Sequence, residues 1–252
     1  MAEAAMRRDG DQVDVFRLRA ELEEQRRLAE EKERQLERYA SDLRETFKAE
    51  RARTDELRAS YVATVRALTN AVEARDAYTG KHAERVAGYG LELARQIDPE
   101  LARDPQVEFG FLLHDVGKVA ISDGILFKPE PLLAEERILM RRHSTIGYEI
   151  VCHIPFLSEA ARIVRSHHER WDGRGYPDGL SGEEIPLAAR IFAVADALDA
   201  MTTDRPYSPM ISLTRARAEI VAKSGTQFDP DVVAAFERLP DETLERIKVT
   251  IT

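Results

Sequence analysis

The sequence predicts an all-α protein, with a long N-terminal coiled-coil helix followed by a helical globular domain. Three observations carry this. There is no proline between Met1 and Ile97, and Gly10 is the only glycine before Gly80. From Val15 an apolar residue returns every seventh position: Val15, Leu22, Ala29, Leu36, Leu43 and, after Glu50, Leu57. No run alternates apolar and polar residues at the two-residue period of a strand for more than a few positions.

Taken in order, residues 1–14 are polar and read as a flexible N-terminus. Residues 15–61 read as a coiled-coil or signalling helix. Its second seam is weaker: Leu18, Gln25, Lys32, Tyr39, Thr46 and Arg53. A helix this polar cannot bury its apolar stripe alone, so a parallel homodimer is expected rather than a single solvated helix. Near Tyr61 the charges thin out, and Tyr61, Val65, Leu68 and Val72 recur at helical spacing. That puts the boundary at residues 58–64 and the globular domain at 62–252. No Gly/Ser linker intervenes, so a twist of the coil is expected to reach the domain mechanically.

Within the domain, helices are expected at 62–77, 81–96, 105–116, 134–142 continuing towards 151, 159–168, 188–201, 212–224 and 231–238. Turn residues punctuate them at Asp98-Pro99, Ser122-Asp123-Gly124, Pro129 to Pro131, Ile154-Pro155, the glycine-rich stretch 172–182 and Ser208-Pro209. Thr214 and Asp229-Pro230 resemble helix starts.

Charge narrows the function. The net charge is −9. Half of residues 1–60 are charged, but they nearly cancel, so most of the acidity lies in the domain. Polymeric nucleic acid needs a basic surface and is excluded as a partner; a small anion held by local cations is not. The single Cys152 excludes an internal disulfide framework and a thiolate metal cluster. No apolar signal region and no stretch of about 18 apolar residues is present, so a cytoplasmic protein without a membrane segment is expected.

The chemistry centres on the stretch 111–118, an apolar run ending in His114-Asp115 with Gly117 and Lys118 behind it. If the run is helical, Lys118 lies one turn from both His114 and Asp115. Alone, such a pair is more often a hydrogen-bonded structural feature. More candidates follow, however. The chain has six histidines, His82, His114, His143, His153, His167 and His168, two of them adjacent. Asp196 sits inside an apolar helical run, where a carboxylate needs an Arg, a helix end or a metal. Asp199 follows one turn later. His82, His114, Asp115, His143, His167, His168 and Asp196 exceed the roughly four ligands of one tetrahedral zinc. They suit two ions. Nitrogen and oxygen donors without sulfur favour iron or manganese, with zinc still open. Two such ions would lower the pKa of a shared water and direct it at phosphorus.

These residues resemble the HD-GYP subgroup of the HD phosphohydrolase superfamily. The resemblance runs from His82 and His114-Asp115 with Gly117-Lys118, through His143, 167–177 (His-His-Glu-Arg-Trp-Asp-Gly-Arg-Gly-Tyr-Pro), 182–186 and Asp196. It continues through 199–202, 204–207 and 225–230, covering about residues 65–238. It implies an HD-type helical bundle with two divalent metal ions that hydrolyses cyclic di-GMP to the linear dinucleotide pGpG, and often on to GMP. It further implies His82, His114, His143, His167, His168 and Asp196 as metal ligands, with Asp115 bridging. Lys118 would contact the scissile phosphate or its attacking and leaving oxygens, and Tyr176 and Arg205 would bind substrate phosphates. Asp199 would hold substrate or orient a ligand. Gly173 and Gly175 would let the loop turn tightly.

Two departures matter. Some members carry a Glu four residues before the first ligand His and bind a third metal; here Tyr78 stands there, so two metals are expected. Some carry a basic residue after Arg-Pro-Tyr where this chain has Ser208. Competing readings are hydrolysis of another cyclic dinucleotide or nucleotide, and an interaction module presenting the Gly-Tyr-Pro loop to a signalling partner. His153 matches no ligand position. Trp171 reads as a packing anchor, Asp172 as a loop cap, and Lys128, Arg141, Arg142 and Arg174 as solvated surface charges.

Overall fold

A computed structural model describes residues 2–74, 81–204 and 209–251. Among these the chain is helical, with no strand: α1 (Ala2–Glu73), α2 (His82–Ile97), α3 (Pro105–Leu112), α4 (Asp123–Leu126), α5 (Ala134–Val151), α6 (Ser158–Ser166), α7 (Leu187–Thr202), α8 (Leu213–Ala222), α9 (Pro230–Glu237) and α10 (Asp241–Thr250). Contacts divide the chain into two compact units, Met1–Ser60 and Tyr61–Thr252. In the first, the described heptad residues Leu22, Leu36, Leu43 and Leu57 are all exposed.

In the second unit, α3 packs on α2 and α6, α2 on α7, and α5 on α6 and on the 3-10 turn Val116–Ala120. Phe111, Phe192, Ile191, Leu93 and Val164 are buried where these helices meet, each stabilising the fold by about 1.5–3 kcal/mol relative to exposure. Local chemistry starts several helices. The Asp104 side chain accepts from the Gln106 amide ahead of Pro105, and Asp229 accepts from the Asp231 amide ahead of Pro230. Ser212, two residues before Thr214, caps α8 by accepting from the Arg215 amide.

Three elements differ from the sequence expectation. α3 ends at Leu112, not Val116, so His114-Asp115 leaves the helix and enters a 3-10 turn. The reason is close packing: a Cβ on Gly117 would lie 1.9 Å from the His143 carbonyl oxygen and 2.6 Å from the Gly147 nitrogen. The turn is pressed backbone to backbone against α5, which a continuing helix with side chains could not allow. Ser122-Asp123-Gly124, read as a turn, opens the one-turn helix α4. α10 was not anticipated, although Pro240 followed by Asp241 and Glu242 is a helix-start signal. Tyr78, Arg205 and Ser208 lie outside the described residues.

Candidate metal centre

The seven predicted ligands come from five places in the chain. His82 opens α2, and His114 and Asp115 stand in the turn after α3. His143 lies within α5, His167 and His168 follow the end of α6, and Asp196 lies within α7. All seven converge. His114 Nε2 is 3.0 Å from one Asp115 oxygen, and His143 Nε2 is 3.4 Å from the other. His82 Nε2 is 3.3 Å from Asp196 Oδ1. Donor atoms of His143, His167 and His168 lie within 4.8 Å of one another. His167 and His168 rings are 4.1 Å apart, and His82 and His114 rings 5.5 Å.

What orients these rings is the other ring nitrogen. His114 Nδ1 donates to the Phe111 carbonyl (2.8 Å), His143 Nδ1 to Met140 (2.7 Å) and His167 Nδ1 to Val164 (2.7 Å). Each carbonyl is three residues upstream; those of Phe111 and Val164 lie in the last turns of α3 and α6, where a helix end leaves acceptors open, and that of Met140 lies inside α5. A carbonyl can only accept, so Nδ1 carries the proton and Nε2 turns a lone pair inward. His82 is oriented differently. Its Nδ1 meets Asp199 Oδ2 at 2.7 Å, and Arg85 holds that carboxylate through Nε (2.7 Å) and Nη2 (3.1 Å).

The result fits metal ions. His143 Nε2 and His167 Nε2 face each other at 3.1 Å, and with both Nδ1 protons committed to carbonyls, two lone pairs oppose each other. A cation in their midst removes that repulsion. The carboxylates Asp115 and Asp196 supply negative charge beside neutral imidazoles, a donor set suited to divalent ions.

The electrostatics agree. Burial and then the neighbouring histidines hold His167 well below the ordinary imidazole value. Burial, then His143, lowers His168 to about 4, and burial also lowers His143. All three are neutral donors at pH 7. Burial pulls His82 down as well, but hydrogen bonds to Asp196 and Asp199 outweigh it and raise the ring to about 9. Burial would raise Asp115, yet Lys118 and His114 hold it well below the usual carboxylate range. Burial likewise opposes ionisation of Asp196, and His82 overcomes it.

Lys118 Nζ is 2.8 Å from Asp115 Oδ2. In a 3-10 turn, side chains three apart eclipse, so the proximity expected from a helix survives the change of geometry. Tyr176 stacks on His168 with centroids 4.7 Å apart and 29° between planes. Burial raises its phenol pKa. Asp199 is 1% exposed with its oxygens engaged, so of the two roles left to it, the geometry suits orienting His82 and not touching substrate. His153 lies away from the cluster, 3.0 Å from Cys152 Sγ.

Loop 172–182 is built by contacts the sequence did not announce. Glu169 Oε1 accepts from the Asp178 and Gly179 amides at 2.7 and 3.0 Å. A Cβ on Gly175 would lie 2.4 Å from Glu169 Cα, so only glycine lets the loop fold back there. The Trp171 and Asp172 amides donate to the Gln227 and Thr226 carbonyls, which ties two distant motifs together. Asp172 accepts from Arg170 and from the Arg174 amide, as a loop cap does. Between this loop, α7 and α8 opens a cavity of about 420 Å³, walled by Tyr176, His168, Asp196, Arg141, Lys223 and Met201 among others.

Sequence reasoning missed Arg85, Glu169 and the position of Arg141. Arg85 had a signal: His82 and Arg85 repeat the three-residue spacing of Asp196 and Asp199, as facing helices pairing twice would do. Arg141 is exposed as expected, but its guanidinium sits 5.0 Å from the Tyr176 ring centroid.

The HD-domain family model matches residues 66–232. A cyclic di-GMP phosphodiesterase of Thermotoga maritima is 42% identical over 172 residues, 68% of this chain and 47% of that protein. The 3'3'-cGAMP-specific phosphodiesterase 2 of Vibrio cholerae is 38% identical over 208 residues, 82% of this chain and 40% of that protein. The chain thus spans about half or less of the length of these curated relatives. A crystal structure of a cyclic GMP-AMP specific phosphodiesterase of Vibrio cholerae shares the fold at 23% identity, with a TM-score of 0.52, covering 73% of this chain and 53% of that one. The chain belongs to the HD-domain family and, with its His-His and Gly-Tyr-Pro signature, to the HD-GYP subgroup. Among the described residues no helix is long and apolar enough to cross a membrane.

Proposed function

We propose that the chain is a metal-dependent phosphodiesterase that hydrolyses cyclic di-GMP to linear pGpG. One observation carries the reading: four imidazoles with Nδ1 committed elsewhere turn Nε2 towards Asp115, Asp196 or a neighbouring Nε2. In this reading His82, His114, Asp115, His143, His167, His168 and Asp196 would hold two divalent ions, iron or manganese. The ions supply Lewis acidity at phosphorus and activate water when bound.

The remaining residues supply positioning and charge. Lys118, beside Asp115, meets the scissile phosphate and the negative charge that develops on its oxygens. Tyr176 offers its protonated phenol to a substrate phosphate, and Arg205 a second cation. Glu169 and the Arg170–Asp172 pair hold the loop that presents Tyr176. The enzyme is proposed to be cytoplasmic and dimeric through residues 15–61, whose heptad residues Leu22, Leu36, Leu43 and Leu57 are exposed in the single chain.

A second reading, hydrolysis of 3'3'-cGAMP, has its own support, because three of the relatives bear that name. One preparation tests both. Anaerobically purified chain is assayed for metal content and for turnover of each cyclic dinucleotide. About two iron or manganese per chain with faster turnover of cyclic di-GMP is expected; faster turnover of cGAMP selects the second reading, and metal without turnover of either rejects both. Sedimentation of the chain lacking residues 1–58 is expected to give a monomer, and a persistent dimer would place the contact elsewhere.

A further inference from the structure

Arg141 has no role in the scheme above, yet its guanidinium forms part of the cavity wall. It stands 5.0 Å from the Tyr176 ring centroid, and Tyr176 in turn stacks on His168 at 4.7 Å. Of the other cations of the same wall, Arg170 forms a two-pronged pair with Asp172 (3.0 and 2.8 Å) and Lys223 pairs with Glu219 at 2.9 Å, while Arg174 also borders the cavity but, among the described residues, lacks the aromatic platform that orders Arg141. Among the described residues no carboxylate pairs with Arg141. Its order comes from the aromatic face, a contact of about 0.5–1 kcal/mol at an exposed site, which leaves its N–H groups available. The surroundings favour such a donor. The protein carries a net charge of −9, and the ions and Lys118 would serve only the phosphate at the metal centre. A substrate with two phosphodiester anions needs a second local cation.

We propose that Arg141 binds a phosphate of the substrate directly, gripping the phosphodiester that is not being cleaved while the other lies at the metal centre. The proposal rests on the phosphodiesterase reading for its substrate but not for its chemistry: an always-charged planar fork beside a polar cavity is a phosphate binder. It also gives the Tyr176 stack a second purpose, which is to hold the guanidinium in place before substrate arrives.

The test uses full-length, metal-loaded protein with equal metal content confirmed for each variant. Arg141→Met is expected to raise KM for cyclic di-GMP by about 10–100-fold, the worth of a charge-assisted hydrogen bond or two, with a much smaller change in kcat. Inhibition by inorganic phosphate should weaken in parallel. Arg141→Lys, which keeps the charge, should recover part of both. Arg142→Met, one position away and not on this cavity, serves as the control and should change neither.

Three kinetic results overturn the proposal. An unchanged KM in Arg141→Met removes Arg141 from the substrate. A fall in kcat alone makes it a prop for Tyr176. A raised KM with undisturbed phosphate inhibition and no recovery by lysine means that it stacks on a base. Calorimetric titration of the same proteins with cyclic di-GMP separates this from failure of the parent reading. Wild-type binding without turnover, weakened in Arg141→Met, would sustain Arg141 while the enzymatic reading fell. Absence of binding of both cyclic di-GMP and phosphate to wild type would overturn Arg141 as well.

Discussion

The two flanks of the metal centre are held by different means. On one flank, His114, His143 and His167 lean on carbonyls of their own chain segments, each three residues back. On the other, His82 leans on Asp199, 117 positions away, and Asp199 on Arg85. A ring fixed by main-chain carbonyls stays oriented as long as the backbone does, and no side-chain deletion removes its partner. A ring fixed by a buried ion pair depends on two further side chains, either of which can be lost. The first flank is therefore vulnerable to changes in backbone packing and the second to point changes in polar residues.

The largest effect that would break this contrast is on the backbone side. Gly117→Ala forces a Cβ to within 1.9 Å of the His143 carbonyl oxygen, so the turn bearing Asp115 must separate from α5. A loss of about 3 kcal/mol or more in denaturant stability is expected, with metal content falling; wild-type stability and metal content would show that the packing is softer than described. Next comes Asp199→Ala. It strips the partner from His82 and breaks the buried ion pair with Arg85, which is 7% exposed, at a cost of about 3–5 kcal/mol. Titration of the metal-free protein with Mn(II) should show affinity reduced by roughly 10–100-fold at one site while the other keeps its affinity. Equal loss at both sites would refute the division into flanks.

A milder test is Arg85→Met. The Asp199–His82 contact remains in place, so affinity at the same site should fall by roughly 10-fold or less, measured by the same titration; a larger loss than for Asp199→Ala would reverse the order of dependence argued above. The smallest effect lies in the loop. Arg170 lowers Asp172 to about 2. Because the folded-state pKa is depressed, the stabilising linkage is present above the unfolded value and is lost as pH falls from about 4 through about 2. Carboxylate NMR should find Asp172 titrating near that value, and Arg170→Met should return it towards the ordinary range; an unmoved Asp172 would assign the shift to another group.

Much of the centre was legible in the sequence because its residue types are hard to explain otherwise. Adjacent histidines and a carboxylate in an apolar run such as 191–198 need partners wherever they fold, and the seven groups named on that ground converge. Helix existence was legible too, since periodicity and turn residues are local. Boundaries were less so. His114-Asp115 read as helical because nothing in the apolar run before it signals a stop; the stop comes from α5 pressing on Gly117, which is a tertiary cause. Arg141 read as a surface charge because exposure and position over a tyrosine ring are indistinguishable in one dimension.

By itself, the sequence determined the helical class, the heptad seam and the inventory of candidate metal-binding groups. These follow from intrinsic propensity, from apolar period and from the cost of burying an unsatisfied polar group. Only the tertiary structure decided which nitrogen of each imidazole faces inward, that Asp199 serves His82 together with Arg85, and that Arg141 borders the cavity. Those outcomes depend on approaches of a few ångströms between segments far apart in the chain. The backbone path sets such distances, and residue order alone does not encode them locally.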